Sequence, residues 1–389
     1  MESEGKLSKI PKTSKERKVI HDMLVCGTEV LGMTKEVCEE CGHTVLHYGS
    51  CNNSNCSQCG YKKSQKWAEK QKEKTVNAPY YHIVFTVPDK YLNPLFLYDR
   101  AFMLNSMFNA SAETLRELSK DEKYLGGDLP GFISGVHTWS NTLSLHCHIH
   151  VIFCAAGLKK DGTLVKHDSE QKFLFPAKVL ADLFKGKLME KIEKKYLVSN
   201  GVFNADLEGA RQKEWNVEIR RCEGGPQYVV KYISRYVNRI AITKGRLISY
   251  ENGKVKFRYK DNKDNGKLKE MEMEDEAFVE RYLLHVAPER FIRMRYYGFF
   301  ANNAREKLKE VQQKAGTAEQ PLEEPKTDKY LNEDGMDEEV WEATHKCPKC
   351  QGRLVTLESK CRIAGRASQR EALEKMIKQR RAAKFLQSG

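Results

Sequence analysis

The most regular pattern in the chain is a period-two alternation over Thr142–Ala155, T-L-S-L-H-C-H-I-H-V-I-F-C-A, where apolar and β-branched residues dominate. The turn-forming pair Ser140–Asn141 precedes it, so the run predicts a β-strand. Successive strand side chains point to opposite faces, which puts His146, His148 and His150 on one face at steps of about 6.6 Å. Gly131–Trp139 predicts a second strand, joined to the first as a β-hairpin. With the turn centred near Asn141–Thr142, His137 falls beside His148. Tyr80–Pro88 and Trp215–Arg221 predict two further strands, the first ended by its proline. Ile248–Tyr259 predicts a short hairpin turning at Asn252–Gly253.

Elsewhere the spacing is helical. Tyr98–Leu118 places Phe102, Leu104, Met107, Phe108, Leu115 and Leu118 on one amphipathic face. Residues 62–75, 176–198, 275–285, 299–312 and 366–385 also predict helices. Gly224-Gly225-Pro226 breaks the chain and opens a helix over Gln227–Asn238. There Tyr228, Tyr232 and Tyr236 recur at every fourth residue, beside a basic stripe of Lys231, Arg235 and Arg239. Such a tyrosine stripe is more often core packing than chemistry. Residues 1–20 suggest a loose basic arm and 158–170 a loop, while Gly316–Glu339 is an acidic, proline-containing linker.

These elements predict an α/β (α+β) fold with a central, mostly antiparallel sheet and helices packed on it. The expected domains are a basic arm and zinc-binding module over 1–75, a metal- and tyrosine-dependent domain over 76–312, an acidic linker over 313–345, and a cysteine knuckle with a basic helix over 346–389.

Charge narrows the function. A formal net charge of +13 on 389 residues favours nucleic acid as partner, although a solvated lysine-rich surface gives the same sum. No run reaches the roughly 18 apolar residues of a membrane span, and the N-terminus lacks a signal-peptide core. The expectation is a cytoplasmic, nucleoid-associated protein. In that compartment twelve cysteines argue for metal rather than disulfides. Cys38-x2-Cys41 and Cys56-x2-Cys59 have the spacing of a zinc ribbon, four thiolates suiting tetrahedral Zn2+. Cys26, Cys51, His43 and His47 are spare candidates for a second ion, and Cys347-x2-Cys350 by itself is half a site.

A histidine face on a central strand, a later tyrosine helix and flanking basic residues make a coherent set. A divalent ion, Mg2+ or Mn2+, would orient a scissile phosphate. A tyrosine would attack it, leaving a 5′-phosphotyrosine and a free 3′-hydroxyl.

The sequence resembles the rolling-circle insertion-sequence transposases with an N-terminal zinc-binding domain and a two-tyrosine His-hydrophobic-His nuclease domain. The resemblance is carried by C-E-E-C-G, H-I-V-F-T-V-P, H-T-W-S-N-T-L-S-L-H-C-H-I-H, G-G-P-Q-Y-V-V-K-Y-I-S-R-Y-V-N-R, L-L-H-V-A-P-E-R-F-I-R-M-R-Y-Y-G-F-F-A-N and a late C-P-K-C. It implies that His148 and His150 are the metal pair, with His137 as third ligand, and that Tyr232 and Tyr236 are the nucleophiles. Tyr228 then becomes a packing or DNA-contact residue. The implied partners are single-stranded DNA ends and target, with strand displacement left to host replication or helicase proteins. Asn55 stands where relatives carry a histidine, which removes one ligand from any second zinc site built on it, and Cys147 stands where proline is usual. Two other readings remain: a plasmid relaxase or replication initiator of the same chemistry, and a zinc-dependent DNA-binding regulator without catalysis.

Overall fold

The computed structural model describes residues 13–167, 174–196, 202–222, 240–317 and 347–387. The chain divides into two compact units, one drawn from 1–63, 242–286 and 329–389, the other from 64–241 and 287–328. Both are mixed α/β, with antiparallel sheets throughout.

The second unit is organised on a six-stranded sheet in the order Met294–Gly298, Leu129–Trp139, Leu145–Leu158, Tyr80–Thr86, Asn216–Arg221, with Leu164–Lys166 paired to Leu145–Leu158 off that path. The strand carrying the histidines is therefore central. Its two faces differ as the alternation requires. Cys147, Ile149, Val151, Phe153 and Ala155 lie in a core with residues of the helices Arg100–Lys120 and Ala177–Tyr196, among them Met107, Leu115, Phe184 and Leu188. Each fully buried large side chain there contributes about 1.5–3 kcal/mol relative to exposure. On the opposite face, Ile152, Cys154 and Ala156 pack with Ile133, Phe299, Phe300 and Val311. Gly131 makes that closure possible, because a Cβ there would stand 2.2 Å from the Phe299 ring. The histidines continue this second face beyond its apolar end.

The hairpin turn runs to Ser144 rather than ending before Thr142. Leu143 takes a left-handed φ of 62°, and the Ser140 N–H donates to the Ser144 carbonyl at 3.0 Å. Strand pairing thus begins at Leu145. The 158–170 stretch, expected as a loop, contributes the short Leu164–Lys166 strand.

Among the described residues the first unit holds two three-stranded sheets. One pairs Met33–Cys38 with both Thr44–Tyr48 and Leu354–Lys360. The other is a meander of Leu247–Glu251, Lys254–Asp261 and Lys267–Glu274, followed by the helix Asp275–Leu283. Its first turn is the one the sequence signals, with Asn252 and Gly253 at φ 50° and 78°. Two expectations change here. The basic arm is helical from Ser14, because Thr13 and Glu16 form a reciprocal capping box. Residues 242–286 belong with the cysteine-bearing unit, not with a contiguous 76–312 domain: Leu283 and Val286 bury against Val19, and the Tyr282 hydroxyl donates to the Asn55 carbonyl. The helix expected over 62–75 is Cys59–Lys72, and the boundary between the units falls within it.

Candidate active site and metal centres

Strand register brings three imidazoles together. His137 on Leu129–Trp139 pairs directly with His148, and His150 lies two residues further along the same strand. One ring nitrogen from each of His137, His148 and His150 lies within 4.8 Å of the others. Ring centroids are 4.4 Å apart for His137–His150 and 4.7 Å for His148–His150. Gly135 is the residue opposite His150, so the ladder adds no side chain beside that ring. Trp139 lies against His137 at a centroid distance of 4.5 Å, and the Arg293 guanidinium sits 5.6 Å from the Trp139 ring centre.

Hydrogen bonds sort the ring nitrogens. His148 Nδ1 is 3.0 Å from the His146 carbonyl, which only an N–H can satisfy. Its Nε2 is then the lone-pair nitrogen. His150 Nδ1 is 2.8 Å from His82 Nε2. For His150 to offer Nε2 as a ligand, Nδ1 must hold the proton and donate it to His82. In that arrangement His82 would fix the tautomer of His150. Both His82 and His148 are pushed down to about 3, in each case first by burial; Arg220 adds to the effect on His82 and His146 to that on His148. Neutral imidazoles are what a metal requires.

His146 shares the face but not the cluster. Its Nδ1 is 2.6 Å from Asp89 Oδ2, at the start of the helix Asp89–Tyr98. Period two places three histidines on one side, of which His148 and His150 converge with His137 while His146 contacts Asp89. His82 and Asp89 were not singled out in the sequence. Parity on Tyr80–Thr86, together with that strand pairing antiparallel to the histidine strand, was the signal for His82.

The stretch expected as a helix over Gln227–Asn238, with Tyr228, Tyr232, Tyr236, Lys231 and Arg235, and Arg239 after it, lies outside the described residues. The chain enters that stretch from Asn216–Arg221, the edge strand that pairs with Tyr80–Thr86.

Eight of the twelve cysteines form two groups, and neither combines the two N-terminal knuckles. Cys56 and Cys59 gather with Cys26 and Cys51; Cys38 and Cys41 gather with Cys347 and Cys350. The expectation that Cys38, Cys41, Cys56 and Cys59 share one ion is therefore corrected. Cys38 ends the central strand of its sheet, and the neighbouring strand Leu354–Lys360 carries the C-terminal knuckle to it. Sulfur–sulfur distances of 3.5–3.6 Å in the first group fit a tetrahedron with Zn–S near 2.3 Å, whose edge is about 3.8 Å. Hydrogen bonding from Cys51 holds the Cys56 thiol down to about 5. Among the described residues His43 and His47 join no metal-competent group; His47 Nε2 contacts Glu36 Oε2 at 2.9 Å. Asn55 costs the first group nothing, since its four positions are all filled by cysteine.

No helix among the described residues is long and apolar enough to cross a membrane. Residues 131–307 match a family model described as "Putative transposase", and residues 4–87 match the "Transposase zinc-binding domain". The "Putative transposase y4qJ" of Sinorhizobium fredii (strain NBRC 101917 / NGR234) is 32% identical over 358 residues, which is 88% of this chain and 89% of the relative. The "Transposase for insertion sequence element IS801" of Pseudomonas savastanoi pv. phaseolicola is 26% identical over 300 residues, 74% of this chain and 70% of the relative. No solved structure matches the chain significantly. With a zinc-binding module at its start, this similarity along most of its length, and DNA as the implied partner, the chain belongs to the rolling-circle insertion-sequence transposases with an N-terminal zinc-binding domain.

Proposed function

We propose that this transposase cuts and rejoins single-stranded DNA at its element's ends, with Tyr232 and Tyr236 as nucleophiles and His137, His148 and His150 as ligands of a divalent ion. The observation that carries the reading is the convergence of those three ring nitrogens within 4.8 Å. Three protein ligands leave coordination positions for phosphate oxygens and water. The all-imidazole donor set suits Mn2+ better than the harder Mg2+, which prefers oxygen ligands. Such an ion would supply Lewis-acid polarisation of the scissile phosphate.

The chain's own groups do the rest. A tyrosine oxygen forms a bond to phosphorus and the bond to the 3′-oxygen breaks. The phenol proton is lost and the departing oxygen gains one, leaving a 3′-hydroxyl and a 5′-phosphotyrosine. The phosphodiester's energy is kept in the new ester, so rejoining needs no ATP. Tyrosine's free value of about 10 means that the proton must leave in the attack or be drawn off by a neighbouring charge. Lys231, Arg235 and Arg239 beside the tyrosines supply that charge and contact backbone phosphates, with Tyr228 as a further DNA contact. The Arg293 guanidinium lies over the Trp139 ring, and that ring stacks on His137.

Two tyrosines can hold donor and target strands together, or act in successive rounds. Strand displacement falls to host replication or helicase proteins. The relatives' own descriptions as transposases favour this over a plasmid relaxase or initiator, and the imidazole cluster favours it over a non-catalytic regulator.

The test is nicking of single-stranded end oligonucleotides with Mn2+ or Mg2+. The wild type is expected to cut and to become covalently labelled through the 5′ side. Tyr232→Phe and Tyr236→Phe together are expected to remove both signals. An adduct that survives the double substitution overturns the nucleophile assignment.

A further inference from the structure

Outside the imidazole site, the most fully built cluster of ligating side chains joins the two ends of the chain. Cys38 Sγ lies 3.4 Å from Cys350 Sγ, a partner 312 positions away, and Cys41 Sγ lies 3.6 Å from Cys347 Sγ. Cys41 and Cys350 are 3.4 Å apart. These separations are too long for disulfides and close to the tetrahedral edge of a four-thiolate zinc site.

The two halves are also the same backbone device. In each, the first cysteine's N–H donates to the carbonyl five residues on: Cys38 to His43 at 2.9 Å, Cys347 to Gly352 at 2.8 Å. In each, the residue four on donates back to the first cysteine's carbonyl: Gly42 to Cys38 at 3.0 Å, Gln351 to Cys347 at 2.8 Å. The residue four on is left-handed both times, with φ 68° at Gly42 and 65° at Gln351. For Gln351 this conformation is costly and uncommon outside glycine and asparagine. The Lys349 N–H also points at Cys347 Sγ at 3.4 Å, a bond that favours a thiolate. Two tight knuckles of one shape meet sulfur to sulfur across a strand pair, the second contributed from beyond residue 346.

We propose that Cys38, Cys41, Cys347 and Cys350 bind a zinc ion distinct from the one held by Cys26, Cys51, Cys56 and Cys59, so that the C-terminal segment is an integral part of the zinc-binding unit. The matched zinc-binding domain ends at residue 87 and assigns no role to the late knuckle. The surroundings agree. Leu354–Lys360 pairs with Met33–Cys38 along six positions, Leu354 is buried with Cys38 and Cys347, and Leu373 of the C-terminal helix is buried with Val25, Val30 and Leu31. Closing this ion therefore fixes a strand and a helix from beyond residue 346 onto the N-terminal cysteine region.

Zinc content of the purified full-length protein, measured by elemental mass spectrometry, tests this without reference to activity. The wild type should hold two equivalents. Cys347→Ser with Cys350→Ser should hold one, and so should Cys38→Ser with Cys41→Ser. Cys26→Ser with Cys51→Ser should lose the other. Two equivalents retained in the Cys347/Cys350 variant would overturn the proposal. Should that variant fail to fold, alkylation of the zinc-loaded wild type decides: Cys38, Cys41, Cys347 and Cys350 should be protected together and become reactive together on chelation. Free alkylation of Cys347 and Cys350 while Cys38 and Cys41 stay protected would overturn it equally.

Discussion

The two regions of this transposase that are suited to metal are assembled in opposite ways. The imidazole cluster comes from one hairpin, its three members separated by only a turn, and ladder register alone puts His137 opposite His148. The thiol clusters draw on distant pieces of chain, with partners up to 312 positions apart. A local site is encoded by strand periodicity. A distributed site is encoded by which strand edge lies free for another segment, and spacing within a C-x2-C motif says nothing of that.

This difference orders the experiments. The largest effect is expected at the imidazoles. His148→Ala with His150→Ala should lower Mn2+-dependent cleavage by about 10³-fold or more, since the loss of several kcal/mol of charge stabilisation is at stake. A nicking time course checks it, with thermal unfolding as control for the fold. Next is His82, whose Nε2 lies 2.8 Å from His150 Nδ1. His82→Phe should weaken Mn2+ binding by about 10–100-fold, the usual cost of losing an outer hydrogen-bond partner. His82→Gln, whose side-chain oxygen can accept the same proton, should recover part of it; calorimetric titration of the ion reads both.

A pH effect separates the regions further. His82 and His148 titrate near 3 in the folded protein and near 6.5 when unfolded. Between those values the unfolded chain binds more protons, so stability rises with pH through that window. The protein without a divalent ion should therefore unfold progressively more easily as pH falls below about 6.5, and His82→Phe should flatten the slope. Thermal midpoints between pH 7 and 5 check this. The smallest effect is expected at His146, on the same face but held by Asp89. His146→Ala should change Mn2+ affinity by no more than a few-fold. A loss equal to that of His148→Ala would mean that face-sharing, not register, selects the ligands.

Legibility follows the same division. The hairpin, the amphipathic helices, the Asn252–Gly253 turn and the imidazole face were readable because each rests on periodicity or turn chemistry within a few residues. Leu143's left-handed backbone delayed the histidine strand by three residues, and no side-chain pattern announces that. The Thr13–Glu16 capping box was present in the sequence but masked by the lysines around it. His82 needed the order of the strands, not their existence. The strands Leu354–Lys360 and Lys267–Glu274 are mostly exposed, and each holds only three apolar residues, so neither carries much apolar signal. The pairing of the cysteine knuckles is topological and could not be had from spacing.

The contrast between a local imidazole site and two distributed thiol sites is most directly tested by anomalous scattering from crystals of the full chain grown with Mn2+, recorded above the manganese and zinc edges. The expected result is one manganese peak among His137, His148 and His150, one zinc peak within Cys26, Cys51, Cys56 and Cys59, and another within Cys38, Cys41, Cys347 and Cys350. A single zinc bridging Cys38 and Cys41 to Cys56 and Cys59, or no manganese at the imidazoles, would contradict it.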